Sequence, residues 1–129
     1  DTPEKLAALL REDNRLLELE HFHVVLVNAK WRLIRVKTLA RGTLDSLVTH
    51  PRDVCRPAIS ANASAVFLAH NHSSDDPTPS EADIRFTRDI VLAGKLLKID
   101  VPDHIILCRR TTERGKEYVS LRELGYLYE

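Results

Sequence analysis

The stretch Ala65-Val66-Phe67-Leu68-Ala69-His70-Asn71-His72 leads an apolar run directly into two histidines. The continuous run from Ser64 to Ala69 is typical of a strand that is buried on both faces. Because residues two apart on a strand project to the same face, His70 and His72 can present both imidazoles to one point while Asn71 turns away. This geometry suits a metal ion, zinc in particular, but an isolated H-x-H pair is a weak signal that needs companion residues.

The helix predicted after the following polar loop supplies such a companion. It is expected from Ser80 to about Lys98, and its apolar stripe steps by three and four through Asp83, Phe86, Ile90, Ala93 and Leu97. The opposite face carries charged residues, namely Glu81, Arg85, Arg88 and Lys95. A carboxylate removed from water is costly unless a cation or strong hydrogen bonds compensate it, so the position of Asp83 favours a metal site.

Two interpretations of the start of this helix are open. Ser80 and Asp83 have the spacing of a capping box, in which Ser80 is the N-cap and Asp83 reaches back. Thr78-Pro79-Ser80-Glu81 matches the pattern better, with Thr78 as N-cap, Pro79 at the first helical position and Glu81 reaching back. We therefore expect Thr78 to cap the helix, which would release Ser80 and Asp83 for a site.

The proposed donor set favours catalysis over a purely structural metal. Two neutral imidazoles and one carboxylate leave the fourth position of a tetrahedral zinc open, as in catalytic sites. Water in that position would have its pKa lowered to about 7, so a hydroxide nucleophile would be available at neutral pH to attack a polarised carbonyl. A further acid is then needed to move protons.

The rest of the chain alternates predicted strands and helices. Glu20 to Val27 predicts an inner strand, because both of its alternating faces are largely apolar. Its hairpin partner is predicted from Trp31 to Ala40. The remaining predicted elements are a helix after Thr2-Pro3, a helix from Pro51 to about Ala61 that kinks or breaks at Pro57, a strand from Val101 to Cys108, and a short strand near Tyr118. The fold class is therefore a mixed α/β sandwich.

Composition limits the class of protein further. A chain of 129 residues, 43% of them hydrophobic, predicts one domain with a packed core. Its 19 Lys and Arg balance 19 Asp and Glu, which argues against simple nucleic-acid binding. Cys55 and Cys108 lack C-x-x-C spacing and are interpreted as reduced thiols. No run approaches the ~20 apolar residues of a membrane span, and Asp1-Thr2-Pro3-Glu4 lacks the basic and apolar regions of a signal peptide, so we expect a soluble cytoplasmic domain. The absence of methionine, even at position 1, favours a fragment or a processed form.

The spacing His70-x-His72, seven residues, Ser80, two residues, Asp83 resembles the H-x-H-x7-S-x-x-D signature of the JAMM metalloproteases, which have the JAB/MPN fold. The chain resembles the bacterial RadC-type branch in particular through Ala69-His70-Asn71-His72, Asp76-Pro77-Thr78-Pro79-Ser80, Gly42-Thr43, His50-Pro51-Arg52 and Asp103-His104. The resemblance runs from about Glu20 to the C-terminus. It implies a mixed β-sheet sandwiched by helices, similar in architecture to cytidine deaminases. We expect one such domain over residues 1–129, with 1–19 as a helical lead-in and 20–129 as the core.

The resemblance also implies the chemistry of the site. His70, His72 and Asp83 would ligate zinc, and Ser80 would hydrogen-bond the developing oxyanion. The implied reaction is hydrolysis of a peptide or isopeptide bond, with a protein or peptide as substrate.

Four further residues take implied roles. In the superfamily, a glutamate at the start of an early strand is the general acid and base, and Glu20 matches that place. Glu18 is the reserve, because a shift of two residues keeps the same strand face. Asp103 and His104 would support the ligands from the strand after the long helix.

The chain departs from the family pattern in two places. The RadC-type loop commonly reads His-Asn-His-Pro-Ser-Gly, whereas Ser73 and Asp75 stand here in the proline and glycine positions. The ligands are unchanged, but the family pattern no longer predicts the loop conformation or the access of substrate, and Asp75 and Asp76 add negative charge beside the expected metal. The helix-hairpin-helix region that often precedes this domain is expected to be absent, together with any DNA contact made by it.

Three alternatives remain in view. A second H-x-H at His21 and His23 has no downstream acid at matching spacing, and a zinc nucleobase deaminase would need H-x-E and P-C-x-x-C, which the sequence lacks. The third is a DNA-repair or recombination-associated binding module with an idle or phosphodiester-directed metal site. It rests on the cationic cluster of Lys30, Arg32, Arg35, Lys37 and Arg41, which is otherwise interpreted as the solvated face of an edge strand.

Overall fold

The computed structural model describes residues 3–10, 20–42, 50–72, 76–109 and 115–127. The helices in these ranges are α1 (Pro3–Leu9), α2 (Pro51–Ser60) and α3 (Glu81–Leu97). The strands are β1 (Glu20–Val27), β2 (Leu33–Gly42), β3 (Ala65–Asn71), β4 (His104–Leu107) and β5 (Tyr118–Ser120). Within the described parts of the chain, no helix has the length and apolar character that crossing a membrane requires.

The five strands form one mixed sheet in the order β2-β1-β3-β4-β5. Neighbouring strands are antiparallel except β3 and β4, which are parallel and are connected by α3. β1 and β3 are inner strands, and every residue of both is buried. The predicted mixed α/β architecture is therefore confirmed, and β3 carries His70 into the middle of the sheet.

Side-chain alternation divides the sheet into two packed faces. Odd-numbered residues of β3 and β1 such as Phe67 and Val25 form one cluster with α1. Even-numbered residues such as Leu68 and Val24 form the other cluster, together with α2 and α3. Because period-two alternation sends His70 to the face of Leu68, the histidine faces the helix layer that contains Asp83.

Helix α3 packs on the sheet through Asp83, Thr87, Ile90 and Gly94, all of which are buried. The predicted stripe was right for Asp83 and Ile90 but wrong for Leu97, which is 43% exposed. At this end of the helix the returning chain packs on Gly94, which takes the buried position expected for Leu97. A Cβ on Gly94 would lie 2.4 Å from the carbonyl oxygen of Ile99, so only glycine lets the returning chain pack there. The chain leaves the helix through Lys98 at a φ of 62°.

The start of α3 corrects the capping prediction. The N-cap is Ser80, because its Oγ accepts from the amide of Asp83 at 3.0 Å and its own amide donates to Asp83 Oδ2 at 2.9 Å. Thr78 instead donates its hydroxyl to Asp76 Oδ1 at 2.8 Å, and its amide bonds the same oxygen. This local turn removes Thr78 from the helix, so the expectation that Thr78 caps it was wrong.

Two other predicted elements differ in detail. α2 continues through Pro57 to Ser60 without the expected break. Burial of Val54, Pro57 and Ala58 offsets the free energy lost with the hydrogen bond that proline cannot donate. β4 is shorter than the predicted Val101–Cys108, because Pro102 lacks an amide and the carboxylate of Asp103 bonds the backbone of His104 at 2.8 Å. Neither Cys55 nor Cys108 forms a disulfide, in agreement with the prediction of reduced thiols.

The capping assignment predicts that Ser80→Ala destabilises the protein more than Thr78→Ala. Loss of an N-cap hydroxyl costs about 1 kcal/mol in the free energy of unfolding, whereas a change at an exposed residue without a cap costs less than about 0.5 kcal/mol. Urea unfolding of both variants measures the difference. Equal losses, or a larger loss for Thr78→Ala, would contradict Ser80 as the N-cap.

The close approach at Gly94 predicts that Gly94→Ala lowers the free energy of unfolding by about 1–3 kcal/mol, as for other overpacked sites. Gly115→Ala is the matched control, because a Cβ there meets nothing within 4 Å. Both variants are compared by chemical denaturation. A stable Gly94→Ala protein would show that the helix end does not depend on this contact.

Candidate metal centre

Three side chains at the end of β3 and the start of α3 lie close together. His70 is the penultimate residue of β3, His72 follows the strand, and Asp83 lies in the first turn of α3. Each offers a ligand atom, and these atoms all lie within 4.8 Å of one another. His70 Nε2 is 3.2 Å from Asp83 Oδ1, and His72 Nε2 is 2.9 Å from Asp83 Oδ2. The structure thus brings the three sequence-predicted ligands together.

His72 is held by a backbone carbonyl. Its Nδ1 lies 2.7 Å from the carbonyl oxygen of Asp76, which can only accept, so Nδ1 carries a proton. The hydrogen bond with Asp83 raises the pKa of His72, partial burial opposes this, and the carbonyl of Asp76 supports it. Because Nδ1 is committed to the carbonyl, Nε2 is the atom that His72 can offer to a metal.

His70 provides the test of whether a metal fits. Its Nε2 is fully buried and, among the described residues, makes no hydrogen bond. The neighbouring Asp83 oxygen is an electrostatic contact without hydrogen-bond geometry. A buried nitrogen in this state is costly, and a cation held between the two imidazoles and the carboxylate would satisfy it. The donor set of two imidazole nitrogens and one carboxylate oxygen is one that zinc accepts with a position left open.

Asp83 serves the helix and the site at once. Burial would raise its pKa, but the hydrogen bonds that it accepts from His72 and the Ser80 amide outweigh burial and hold the pKa below its usual range. The carboxylate is therefore ionised, as a metal ligand must be. Capping and ligation are compatible, because Oδ2 accepts the Ser80 amide while both oxygens face the imidazoles.

The two predicted catalytic side chains border this cluster. Glu20 is the first residue of β1, is buried, and shares a strand face with Phe22, which pairs with His70 across the sheet. Its charge contributes, after Asp83 and the other causes, to the raised pKa of His72. Ser80 Oγ accepts from the Asp83 amide, so its hydroxyl proton can be donated elsewhere. The reserve residue Glu18 lies outside the described residues.

The two predicted supporting residues act differently. His104 contacts a ligand directly, since its Nε2 lies 2.7 Å from His70 Nδ1. Complete burial, and then the neighbouring His70, lower the pKa of His104 well below its usual range. Asp103 bonds Ser120 Oγ at 2.5 Å and the amides of His104 and Arg122, so it supports His104 only through the backbone.

Thr87 is a member of the site that the sequence prediction missed. It is fully buried on α3, one turn after Asp83, and its Oγ1 lies 2.5 Å from His104 Nδ1. The spacing of four residues from Asp83 was the available signal. The apolar-stripe pattern passed over Thr87 in favour of Phe86.

The rival residues lie apart from this cluster. His21 and His23 stack on each other at 6.2 Å, and His23 Nδ1 bonds Thr38 Oγ1 at 2.9 Å. Within the described ranges, the grouping that can hold a metal comprises His70, His72 and Asp83 and does not include this pair. The departures at Ser73 and Asp75 lie outside the described residues, whereas Asp76 is exposed at the loop end.

Comparisons with known proteins agree with this geometry. A family profile described as the RadC-like JAB domain matches residues 1–126. Among similar proteins, the UPF0758 protein TTE0897 of Caldanaerobacter subterraneus subsp. tengcongensis is 43% identical over 97% of this chain and 51% of its own length. The UPF0758 protein STH371 of Symbiobacterium thermophilum is 46% identical over 86% of this chain and 45% of its own length. The UPF0758 protein YsxA of Bacillus subtilis is 40% identical over 98% of this chain and 52% of its own length. The chain thus spans about half the length of these relatives, and it belongs to the RadC-like JAB domain family.

Proposed function

We propose that this domain is a zinc-dependent hydrolase that cleaves peptide or isopeptide bonds. The observation that carries the proposal is the convergence of His70, His72 and Asp83 within 4.8 Å, with His70 Nε2 buried and without a hydrogen bond. When bound, zinc would supply the Lewis acidity that polarises a carbonyl and makes water nucleophilic at neutral pH. The JAB family supports a peptide or isopeptide bond as the target.

The residues of the chain divide the remaining work. Glu20 takes a proton from the attacking water at its carboxylate and returns it to the leaving amine. Ser80 donates its hydroxyl to the carbonyl oxygen as negative charge develops there, because Oγ is already occupied as an acceptor from Asp83. Asp83 Oδ2 holds His72 at 2.9 Å, and the carboxylate would share the metal with both histidines.

A nucleic-acid-binding function is the second candidate, because four members of the predicted cationic cluster are exposed. They are Lys30, Arg32, Arg35 and Lys37, at the hairpin turn and along β2, which is the edge strand of the sheet. The side chain of Arg41 lies outside the described residues. The cluster is on an edge strand, where cationic side chains also prevent unwanted strand pairing, so we favour the hydrolase.

The proposal predicts that the purified protein binds about one zinc ion per chain, through three ligands. His70→Ala, His72→Ala and Asp83→Ala should each lower zinc affinity more than about 100-fold, beyond the loss typical of a residue that only supports a ligand. His50→Ala is the control, because His50 is exposed and outside the cluster. Metal analysis and calorimetric titration of the metal-free protein measure both quantities.

Two outcomes would overturn this assignment. One is a wild-type protein that binds no divalent metal, and the other is metal binding that persists in all three variants. If duplex DNA also bound with an affinity that fell steeply with salt and was unchanged in His70→Ala, the binding module would be favoured over the hydrolase.

The role of Glu20 predicts that Glu20→Gln retains zinc but loses turnover by about 10²–10⁴-fold, the usual contribution of a general acid and base. Hydrolysis is followed with fluorogenic peptide and lysine isopeptide libraries, and zinc content is measured on the same samples. Glu81→Gln is the matched control, because its side chain is 92% exposed. Wild-type turnover in Glu20→Gln would remove Glu20 from the mechanism.

A further inference from the structure

We infer that Thr87 and His104 are positioning residues that fix the tautomer of His70, so that its Nε2 lone pair faces the metal. This inference rests on the proposed function and adds a chain of three hydrogen bonds that begins at the backbone of one ligand, Asp83, and ends on the ring of another, His70. The chain joins α3, β4 and β3. Its direction follows from how many protons each group carries.

The first hydrogen bond sets the direction. Thr87 Oγ1 donates to the carbonyl oxygen of Asp83 at 2.7 Å, one helical turn earlier. A hydroxyl has one proton, and a carbonyl oxygen can only accept. Thr87 therefore has no proton left for its second contact, the 2.5 Å approach to His104 Nδ1. The proton in that contact must come from His104, so Nδ1 is the protonated nitrogen of that ring.

His104 lies between Thr87 and His70, so its tautomer determines which nitrogen of His70 carries the proton. A neutral imidazole has one donor and one acceptor, so His104 Nε2 has a lone pair once Nδ1 carries the proton. Nε2 lies 2.7 Å from His70 Nδ1, which must then donate. A proton on His70 Nδ1 leaves the lone pair on Nε2, on the side of Asp83 and His72.

An independent observation agrees with this direction. If the chain ran the other way, His70 Nε2 would carry a proton, and Asp83 Oδ1 at 3.2 Å would be its acceptor. The geometry of a hydrogen bond is not met there. An unprotonated nitrogen beside a carboxylate oxygen is the arrangement in which a cation would bind between them.

Burial makes the chain of contacts effective. Thr87 is 0% exposed, His104 is 1% exposed and His70 is 2% exposed, so solvent does not compete for these nitrogens. In His72, the other candidate ligand, a single hydrogen bond to the carbonyl oxygen of Asp76 at the surface keeps the proton on Nδ1. His70 lies inside the sheet, where β4 is the adjacent strand and supplies His104 from the position that pairs with Leu68.

The direct test is ¹⁵N NMR of the metal-free wild-type protein, recorded at increasing pH until the imidazole signals no longer change. The inference predicts that His70 and His104 are both protonated on Nδ1, with lone-pair shifts at both Nε2 atoms. A proton on His70 Nε2 would overturn it. Because no metal is needed, this result is independent of whether the protein is a zinc hydrolase.

Variants test whether the chain of hydrogen bonds matters to the metal. Thr87→Val keeps the shape but removes the hydroxyl, and it should lower zinc affinity about tenfold and shift the nitrogen signals of His70 toward a mixture of tautomers. Thr87→Ser restores the hydroxyl and should restore both. Thr38→Val is the matched control, because it removes a threonine–histidine hydrogen bond at His23, outside the ligand cluster.

The outcomes separate the inference from the function on which it rests. Thr87→Val with wild-type zinc affinity and unchanged His70 signals would overturn the inference. A loss in Thr38→Val equal to that in Thr87→Val would overturn it as well, because the effect would then be a general one of stability. A wild-type protein without zinc affinity would overturn the proposed function, and the NMR tautomers would still decide the inference. If Thr87→Val fails to fold, the wild-type tautomers and Thr87→Ser remain decisive.

Discussion

The buried carboxylate of Asp83 is the interaction on which the rest of the site depends. It lies on the sheet-facing side of α3 and is 6% exposed, so it must be compensated within the protein. The Ser80 amide and His72 Nε2 compensate it, each at 2.9 Å from Asp83 Oδ2. Asp83 can be buried because the histidine that follows β3 lies beside the first turn of α3.

This arrangement shows why helix capping and metal ligation should not be treated as competing explanations. A capping carboxylate has a second oxygen and further lone pairs after it accepts the N-cap amide. In this site the amide of Ser80 fixes the orientation of Asp83 before any metal binds, and that orientation places both oxygens toward the imidazoles. The capping box therefore preorganises the donor set instead of consuming it.

Local pattern predicted the parts of the fold that depend on local physics. Strand alternation placed His70 on the face of the sheet that α3 covers, and helical spacing placed Asp83 on the buried face of that helix, whereas Glu20 was identified through the family resemblance. The N-cap was mispredicted because Thr78 and Ser80 both satisfy the local rule, and only the turn between Thr78 and Asp76 decides between them. Leu97 was mispredicted because its exposure depends on how the chain returns over Gly94.

The contacts of His70 could not be predicted from local pattern. His70 contacts His104, which lies 34 residues further along the chain. His104 in turn contacts Thr87, which lies 17 residues before it. They meet because β3 and β4 are parallel neighbours with α3 between them in the chain, which is a property of sheet order. The resemblance to a family identified His104 as a supporting residue, but it did not indicate Thr87.

The two histidine ligands consequently depend on different parts of the protein. His70 is held by core side chains from α3 and β4, whereas His72 is held by the carbonyl of Asp76 at the end of the loop that contains Ser73 and Asp75. The contacts that hold His70 in the core are therefore separate from the contact that holds His72 at the end of the loop, as is common where a rigid scaffold carries a variable loop.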